Sequence, residues 1–162
     1  MISKFDIINA SAGSGKTFAL TKRILIKILK SKDENYFKRI LALTFTNRAA
    51  AEMKSRILKN LKDFSESEIK DSPTEMFEQV KKELAFSSAK IIVLAKERLN
   101  LLLHNYSFFQ IETLDSFNHH IIRSFYRELN LDPDFRVVIE AEETLDQSVS
   151  RIFENIENKE EI

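Results

Sequence analysis

The sequence has no cysteine, no tryptophan and, in 162 residues, only two glycines. Several of its shortages exclude whole classes of protein. Without cysteine there is no disulfide framework and no thiolate metal site, which fits a reducing cytoplasm. An excess of either charge is missing too, because 25 Lys and Arg balance 25 Asp and Glu. No global field therefore advertises a nucleic acid, and phosphate binding has to come from local basic faces. The first fifteen residues lack the apolar core of a signal peptide. The most apolar later run, residues 91–103, is broken by Lys96, Glu97 and Arg98 and does not span a bilayer. What remains is a folded, soluble, intracellular chain, with 43% hydrophobic residues and thirteen phenylalanines for a core.

The scarce glycines show where the chemistry lies. Gly13 and Gly15 both fall within Ala10-Ser11-Ala12-Gly13-Ser14-Gly15-Lys16-Thr17. This stretch follows the apolar run Phe5-Asp6-Ile7-Ile8 and opens a segment of helical periodicity. Strand, glycine loop ending in Lys-Thr, then helix is the layout of a phosphate-binding P-loop. Loop amides and the positive end of the helix would cradle a β-phosphate. Lys16 would reach the β/γ-phosphates, and the Thr17 hydroxyl would ligate Mg²⁺. Ala10 stands where the general motif has its first glycine.

Downstream, Leu20, Ile24, Ile28 and Leu25, Leu29 mark a buried helical stripe, with Lys22, Arg23, Lys27 and Lys30 on the other side. Residues 32–35 read as a loop; their Asp33-Glu34 pair follows no apolar strand and is no Mg²⁺-binding acid. Residues 39–46 read as a second strand that ends in hydroxyls and an aromatic. A helix then opens at Asn47, capped by Thr46 or Asn47, with Ala50, Met53, Ile57 and Leu61 on its apolar side. Strand, helix and strand form a βαβ unit with parallel strands.

Residues 62–71 turn polar and suggest a loop. Ser72-Pro73-Thr74-Glu75 has the form of a helix start, with Ser72 as cap and Glu75 at the capping-box position. Met76, Phe77, Val80 and Leu84 follow as its apolar face. A further helix is expected over residues 88–104, with Ile91, Ile92, Ala95, Leu99, Leu102 and Leu103 apolar. Neither helix carries a chemical motif, so both read as a structural cover. Residues 107–113 alternate as a third strand. Asp115 or Ser116 then caps a helix whose core face is Phe117, Ile121, Phe125 and Leu129. Asp115 and His119 share a helical face, but no third metal ligand follows. Phe135-Arg136-Val137-Val138-Ile139 is a short apolar run before an amphipathic helix from residue 140 onward. Met1 reads as a natural start and residues 158–162 as a cut through that helix.

Three stretches carry a family resemblance: the P-loop; Leu43-Thr44-Phe45-Thr46-Asn47-Arg48-Ala49-Ala50-Ala51-Glu52-Met53; and Ile111-Glu112-Thr113-Leu114-Asp115-Ser116-Phe117. Together, over residues 5–145, they resemble the N-terminal part of a UvrD/Rep-type superfamily 1 DNA helicase. The forms Ala-Ser-Ala-Gly-x-Gly-Lys-Thr and Thr-Leu-Asp-Ser-Phe are most similar to the RecB/AddA helicase–nuclease branch. The fold this implies is α/β: a P-loop NTPase (RecA-like) partial parallel sheet flanked by helices, with a helical insertion. Residues 1–135 would form the RecA-like ATP-binding domain, with the insertion at about 64–105, and 136–162 would begin a helical subdomain.

The resemblance also implies ATP and Mg²⁺ on Ala10, Ser11, Ala12, Gly13, Ser14, Gly15, Lys16 and Thr17. It implies single-stranded or duplex DNA on Thr44, Phe45, Thr46, Asn47, Thr113, Asp115, Ser116 and Phe117. Hydroxyls and helix N-terminal amides hold phosphates without reading sequence, and an exposed aromatic stacks on bases. The same Thr, Asn and Asp side chains also serve as helix caps, and Phe45 and Phe117 fit core packing as well as stacking. The implied parent is an ATP-dependent helicase, possessing or paired with an exonuclease, that moves on single-stranded DNA in recombinational double-strand-break repair. Its other partners would be the C-terminal remainder of the same chain and a second helicase–nuclease subunit, in the cytoplasm and away from membrane.

Departures from the pattern matter equally. An apolar strand ending in Asp-Glu is missing. Val137-Val138-Ile139-Glu140-Ala141-Glu142 has that shape but puts Glu140 where Asp is expected, and it better matches the stretch leading into the helical subdomain. The arginines of the later motifs and a glutamine upstream of the P-loop are also missing. These residues alone are therefore expected to bind nucleotide weakly and to hydrolyse it poorly or not at all. A small P-loop kinase and a non-catalytic nucleotide-binding module remain the alternative readings.

Overall fold

A computed structural model describes residues 15–136, 145, 149 and 150, with the side chains of residues 67 and 70 left aside. The chain divides into two compact units, residues 1–119 and 120–162. In the first unit the element order is α1 (Lys16–Lys30), β1 (Ala42–Thr44), α2 (Asn47–Ser65), α3 (Glu75–Leu84), α4 (Ser88–His104) and β2 (Ile111–Thr113). Helix α5 (Leu114–Ser124) begins in the first unit and ends in the second.

The strands β1 and β2 run parallel, pairing Ala42 with Ile111, Leu43 with Glu112 and Thr44 with Thr113. Helices α2, α3 and α4 form the crossover between them. The architecture is thus α/β, a short parallel sheet flanked by helices, as the resemblance implies. The strand expected over residues 5–8 lies outside the described residues, as do residues 137–144 and most of the amphipathic pattern after them.

Amphipathic periodicity explains how the core is made. In α2 the residues Ala50, Met53, Ile57 and Leu61 are all buried, at three- and four-residue spacing. Met76, Phe77, Val80 and Leu84 are buried in α3. Phe37, Phe64, Phe77 and Phe109 are the largest fully enclosed side chains. Phe64 and Phe77 meet edge to face, 5.1 Å between ring centroids at 79°.

Several expectations are corrected. Helix α2 runs on to Ser65, because Phe64 continues its apolar stripe, and a 3-10 turn (Ser67–Lys70) follows where a loop was expected. Thr74, not Ser72, caps α3, accepting the Phe77 N–H at 3.2 Å. Glu75 then falls at the first helical position, too early for a capping box, and instead accepts from Gln79 Nε2 at 3.0 Å. Both strands are shorter than expected, since 3-10 turns (Tyr36–Arg39 and Tyr106–Phe108) take up the residues ahead of them. In α1, Thr21 joins the buried stripe while Leu20 stays 39% exposed.

In α4 the buried positions are Ile91, Ala95, Arg98 and Leu102, leaving Leu103 53% exposed. A charged residue thus occupies the third step of an apolar stripe. Arg98 is 4% exposed and its Nη2 donates to the Ser31 carbonyl at 3.3 Å, at the C-cap of α1. The negative end of that helix attracts the guanidinium. Its Nε and Nη1, like Thr21 Oγ1, have no hydrogen-bond partner among the described residues.

The expected core face of α5 is also corrected. None of its residues is fully buried, and Ile121, Phe125 and Leu129 are exposed. The helix stops at Ser124, and the chain beyond it turns, with Asn130 in the left-handed region at φ 52°.

Candidate phosphate and nucleic-acid site

The N-terminus of α1 carries the described part of the P-loop. Gly15 is its N-cap, at φ 78° and ψ 18°, and its carbonyl accepts the Ala19 N–H at 2.9 Å. A Cβ added there would meet no atom within 4 Å. Glycine is therefore required by the left-handed backbone and not by space, since an L-residue costs roughly 1–2 kcal/mol there. Lys16 and Thr17 follow as the first two helical residues, both exposed. Helical geometry leaves the amides of this first turn without intrahelical acceptors. No acidic residue sits in that turn, while Lys27 and Lys30 lie in the last. This end of the helix fits a phosphate: positive dipole, outward-pointing amides, an exposed lysine and an exposed hydroxyl. Ala10, Ser11, Ala12, Gly13 and Ser14 lie outside the described residues.

A second cluster forms where β1 and β2 end. Thr44 and Thr113 are paired in register, so α2 and α5 start side by side. Thr46 caps α2, its Oγ1 accepting the Ala49 N–H at 3.2 Å, while Thr44 Oγ1 donates to the Thr46 carbonyl at 3.0 Å. Between these two threonines Phe45 stands 92% exposed. Asn47 and Arg48, in the first turn of α2, are exposed as well.

Across the sheet the expected cap is corrected. Neither Asp115 nor Ser116 caps α5; Thr113 Oγ1 accepts the Ser116 N–H at 3.1 Å and lies 2.8 Å from the Ser116 hydroxyl. Thr113 is buried and committed to this bond, whereas Asp115 is exposed and Ser116 and Phe117 are half-buried. The strand pairing thus brings Thr44, Phe45, Thr46 and Asn47 to the same end of the sheet as Thr113, Asp115, Ser116 and Phe117. Of the two aromatics, Phe45 is open to stacking and Phe117 is partly packed. Among the described residues no group of three or more His, Cys, Asp or Glu is placed to hold a metal ion. Nor is any described helix long and apolar enough to cross a membrane.

Sequence reasoning misses the aromatic and cationic residues at the opposite, N-terminal end of the strands. Lys38 Nζ sits 4.9 Å from the Phe108 ring centroid and donates to Asn105 Oδ1 at 3.0 Å. Lys54 Nζ lies 5.3 Å from the Tyr106 centroid. The spacing of exposed aromatics in residues 106–108 is the available signal, and strand alternation mimics it.

Two similar chains each bear the name of an ATP-dependent helicase/nuclease subunit. The one from Exiguobacterium sibiricum is 33% identical over 92% of this chain and 11% of its own length. The one from Bacillus pumilus is 34% identical over 92% of this chain and 10% of its own. The exonuclease/helicase subunit RexA of Lactococcus lactis is 29% identical over 93% of this chain and 10% of its own. The chain therefore spans about a tenth of the length of these curated relatives. No solved structure matches. The family described as the UvrD/REP helicase N-terminal domain matches residues 3–162, and the chain belongs to it.

Proposed function

We propose that these residues are the nucleotide-binding and strand-entry part of an ATP-dependent DNA helicase that translocates on single-stranded DNA. The observation that carries the reading is the level pairing of Thr44 with Thr113, which sets two helix N-termini side by side with an exposed Phe45 beside them. The names of the relatives support a parent that also has exonuclease activity. On this proposal the parent works in recombinational double-strand-break repair in the cytoplasm. They lend no support to a small kinase. On this reading residues 1–135 form the ATP-binding domain, with residues of about 64–105 as its helical insertion, and residues 136–162 open a helical subdomain. The expected protein partners are the rest of the parent chain and a second helicase–nuclease subunit.

ATP with Mg²⁺, when bound, would supply the phosphoanhydride whose cleavage in the parent protein would drive movement. The first-turn amides of α1 and Lys16 would hold its phosphates, and the Thr17 hydroxyl would ligate the cation. At the sheet end, the N-terminal amides of α2 and α5, with Thr44, Thr46, Asn47, Asp115 and Ser116, line the path of the DNA backbone, and Phe45 offers a face to a base. Thr113 acts one step back, fixing the first turn of α5 through Ser116. No apolar run ending in Asp-Glu occurs in this sequence, so these residues alone are expected to bind nucleotide weakly and to hydrolyse it poorly or not at all.

Fluorescence anisotropy with labelled oligo-dT tests the DNA assignment. Phe45→Ala should lose about 1–3 kcal/mol of binding, a drop of roughly 5- to 150-fold. Phe45→Tyr should retain most of the affinity. Because Phe45 is almost fully exposed, melting temperature should not move. Equal affinity for wild type, Phe45→Ala and Asn47→Ala would remove the strand ends from the DNA path.

A further inference from the structure

A groove of about 740 Å³ runs between α2 and the C-terminal half of α4, from Asn47 at the start of α2 along the flank of the sheet. Its apolar side is built by Leu58, Leu99, Leu103 and Tyr106. Leu103 and Tyr106 are exposed, 53% and 43%, which is unusual for two large apolar groups side by side. Along the α2 wall stand Lys54, Lys59 and Lys62. Among the described residues neither Lys59 nor Lys62 has a carboxylate within ion-pair distance. Glu112, on β2, is the one acid among the described residues of the lining.

We propose that this groove docks an acidic amphipathic helix of a protein partner. Three observations converge on that occupant. The floor is apolar and the charge lies on one wall, which suits a helix with a leucine stripe flanked by glutamates. From Asn47 to Lys62 the wall is about 22 Å long at a rise of ~1.5 Å per residue, matching four helical turns. Lys54 and Lys62 are about 12 Å apart along α2 by the same rise, so carboxylates two turns apart on the partner meet both.

A nucleic acid fits less well. It would lay phosphates over leucines, and the one aromatic in the groove already has Lys54 over its ring at 5.3 Å from the centroid. Ala51 and Ser55, small residues midway along the wall, leave room for the partner's side chains.

The test uses the whole chain and a fluorescein-labelled 15-residue helical peptide. The peptide carries leucines at i, i+3, i+4 and i+7 with glutamates beside them. Saturable binding is expected, weakened roughly tenfold or more by Lys59→Glu with Lys62→Glu, through loss of attraction and gain of repulsion at two pairs. Leu103→Asp should weaken it comparably, and Lys22→Ala, on α1 and outside the groove, should leave it unchanged. Circular dichroism checks that each variant is folded; Leu103→Asp stands in if the lysine pair is not.

Four results would overturn the assignment. They are no saturation, equal binding of a scrambled peptide, loss of oligo-dT affinity in the lysine variants with the peptide unaffected, and a dimer seen by sedimentation that the same variants abolish. Failure of the peptide alone would leave the DNA reading of the strand ends untouched, since Phe45, which does not line the groove, reports on that separately.

Discussion

Truncating Phe77 to alanine should lower the unfolding free energy by about 3–5 kcal/mol. Phe77 is fully enclosed in α3 and packs edge to face on Phe64 at 5.1 Å. The loss combines the transfer free energy of the ring, the cavity it leaves, and an aromatic pair worth about 0.5–1.5 kcal/mol. A domain of this kind is stable by only about 5–15 kcal/mol, so one ring accounts for a large share. Urea unfolding followed by circular dichroism measures it. Phe45→Ala is the internal control, a truncation of the same chemistry at a 92% exposed position. A shift below about 1 kcal/mol for Phe77→Ala would mean that α3 is not packed into the core as described.

Lys16→Ala has the largest expected effect on ligand binding. A hydrogen bond to a charged group contributes about 1.5–3 kcal/mol, so affinity for a fluorescent ATP analogue should fall roughly 10- to 150-fold. Stability should hold, because Lys16 is exposed at the first turn of α1. Lys22→Ala makes the comparison specific. That lysine lies on the same helix but pairs with Glu83 at 3.4 Å, so its removal changes net charge equally without touching the N-terminus. Equal losses in the two variants would reduce the effect to general electrostatics. Lys16→Arg is not expected to rescue, since a planar guanidinium does not replace a compact ammonium at a tight phosphate site.

Much of this is legible in the sequence because helices bury stripes. Ala50, Met53, Ile57 and Leu61, and Met76, Phe77, Val80 and Leu84, follow from spacing alone and are buried. The strand ends are legible because hydroxyls and an aromatic follow short apolar runs. Caps are harder. Several Ser, Thr and Asp residues stand at each helix start, and only the local backbone selects one; hence Thr74 over Ser72 and Thr113 over Asp115.

Arg98 is illegible for another reason. Its partner is a backbone carbonyl at the end of α1, and carbonyls leave no mark in a sequence. Strand length fails likewise, because a 3-10 turn and an extended segment share the same apolar residues around Phe37 and Phe109.

The parallel pairing of β1 with β2 has a kinetic consequence. Residue 42 must find residue 111, and the hydrogen bonds that accompany this, Lys38 to Asn105 and Arg98 to Ser31, each join residues 67 apart. Closing so long a loop costs chain entropy before any contact repays it, whereas the helices between form from local interactions. The strands therefore zip after α2, α3 and α4 have packed. In stopped-flow experiments Ile111→Ala should mainly speed unfolding, while Ile57→Ala and Ile91→Ala should slow folding; the reverse order would place the strands in the nucleus. The end of the sheet proposed to meet DNA is, on this topology, the last part of the domain to take shape.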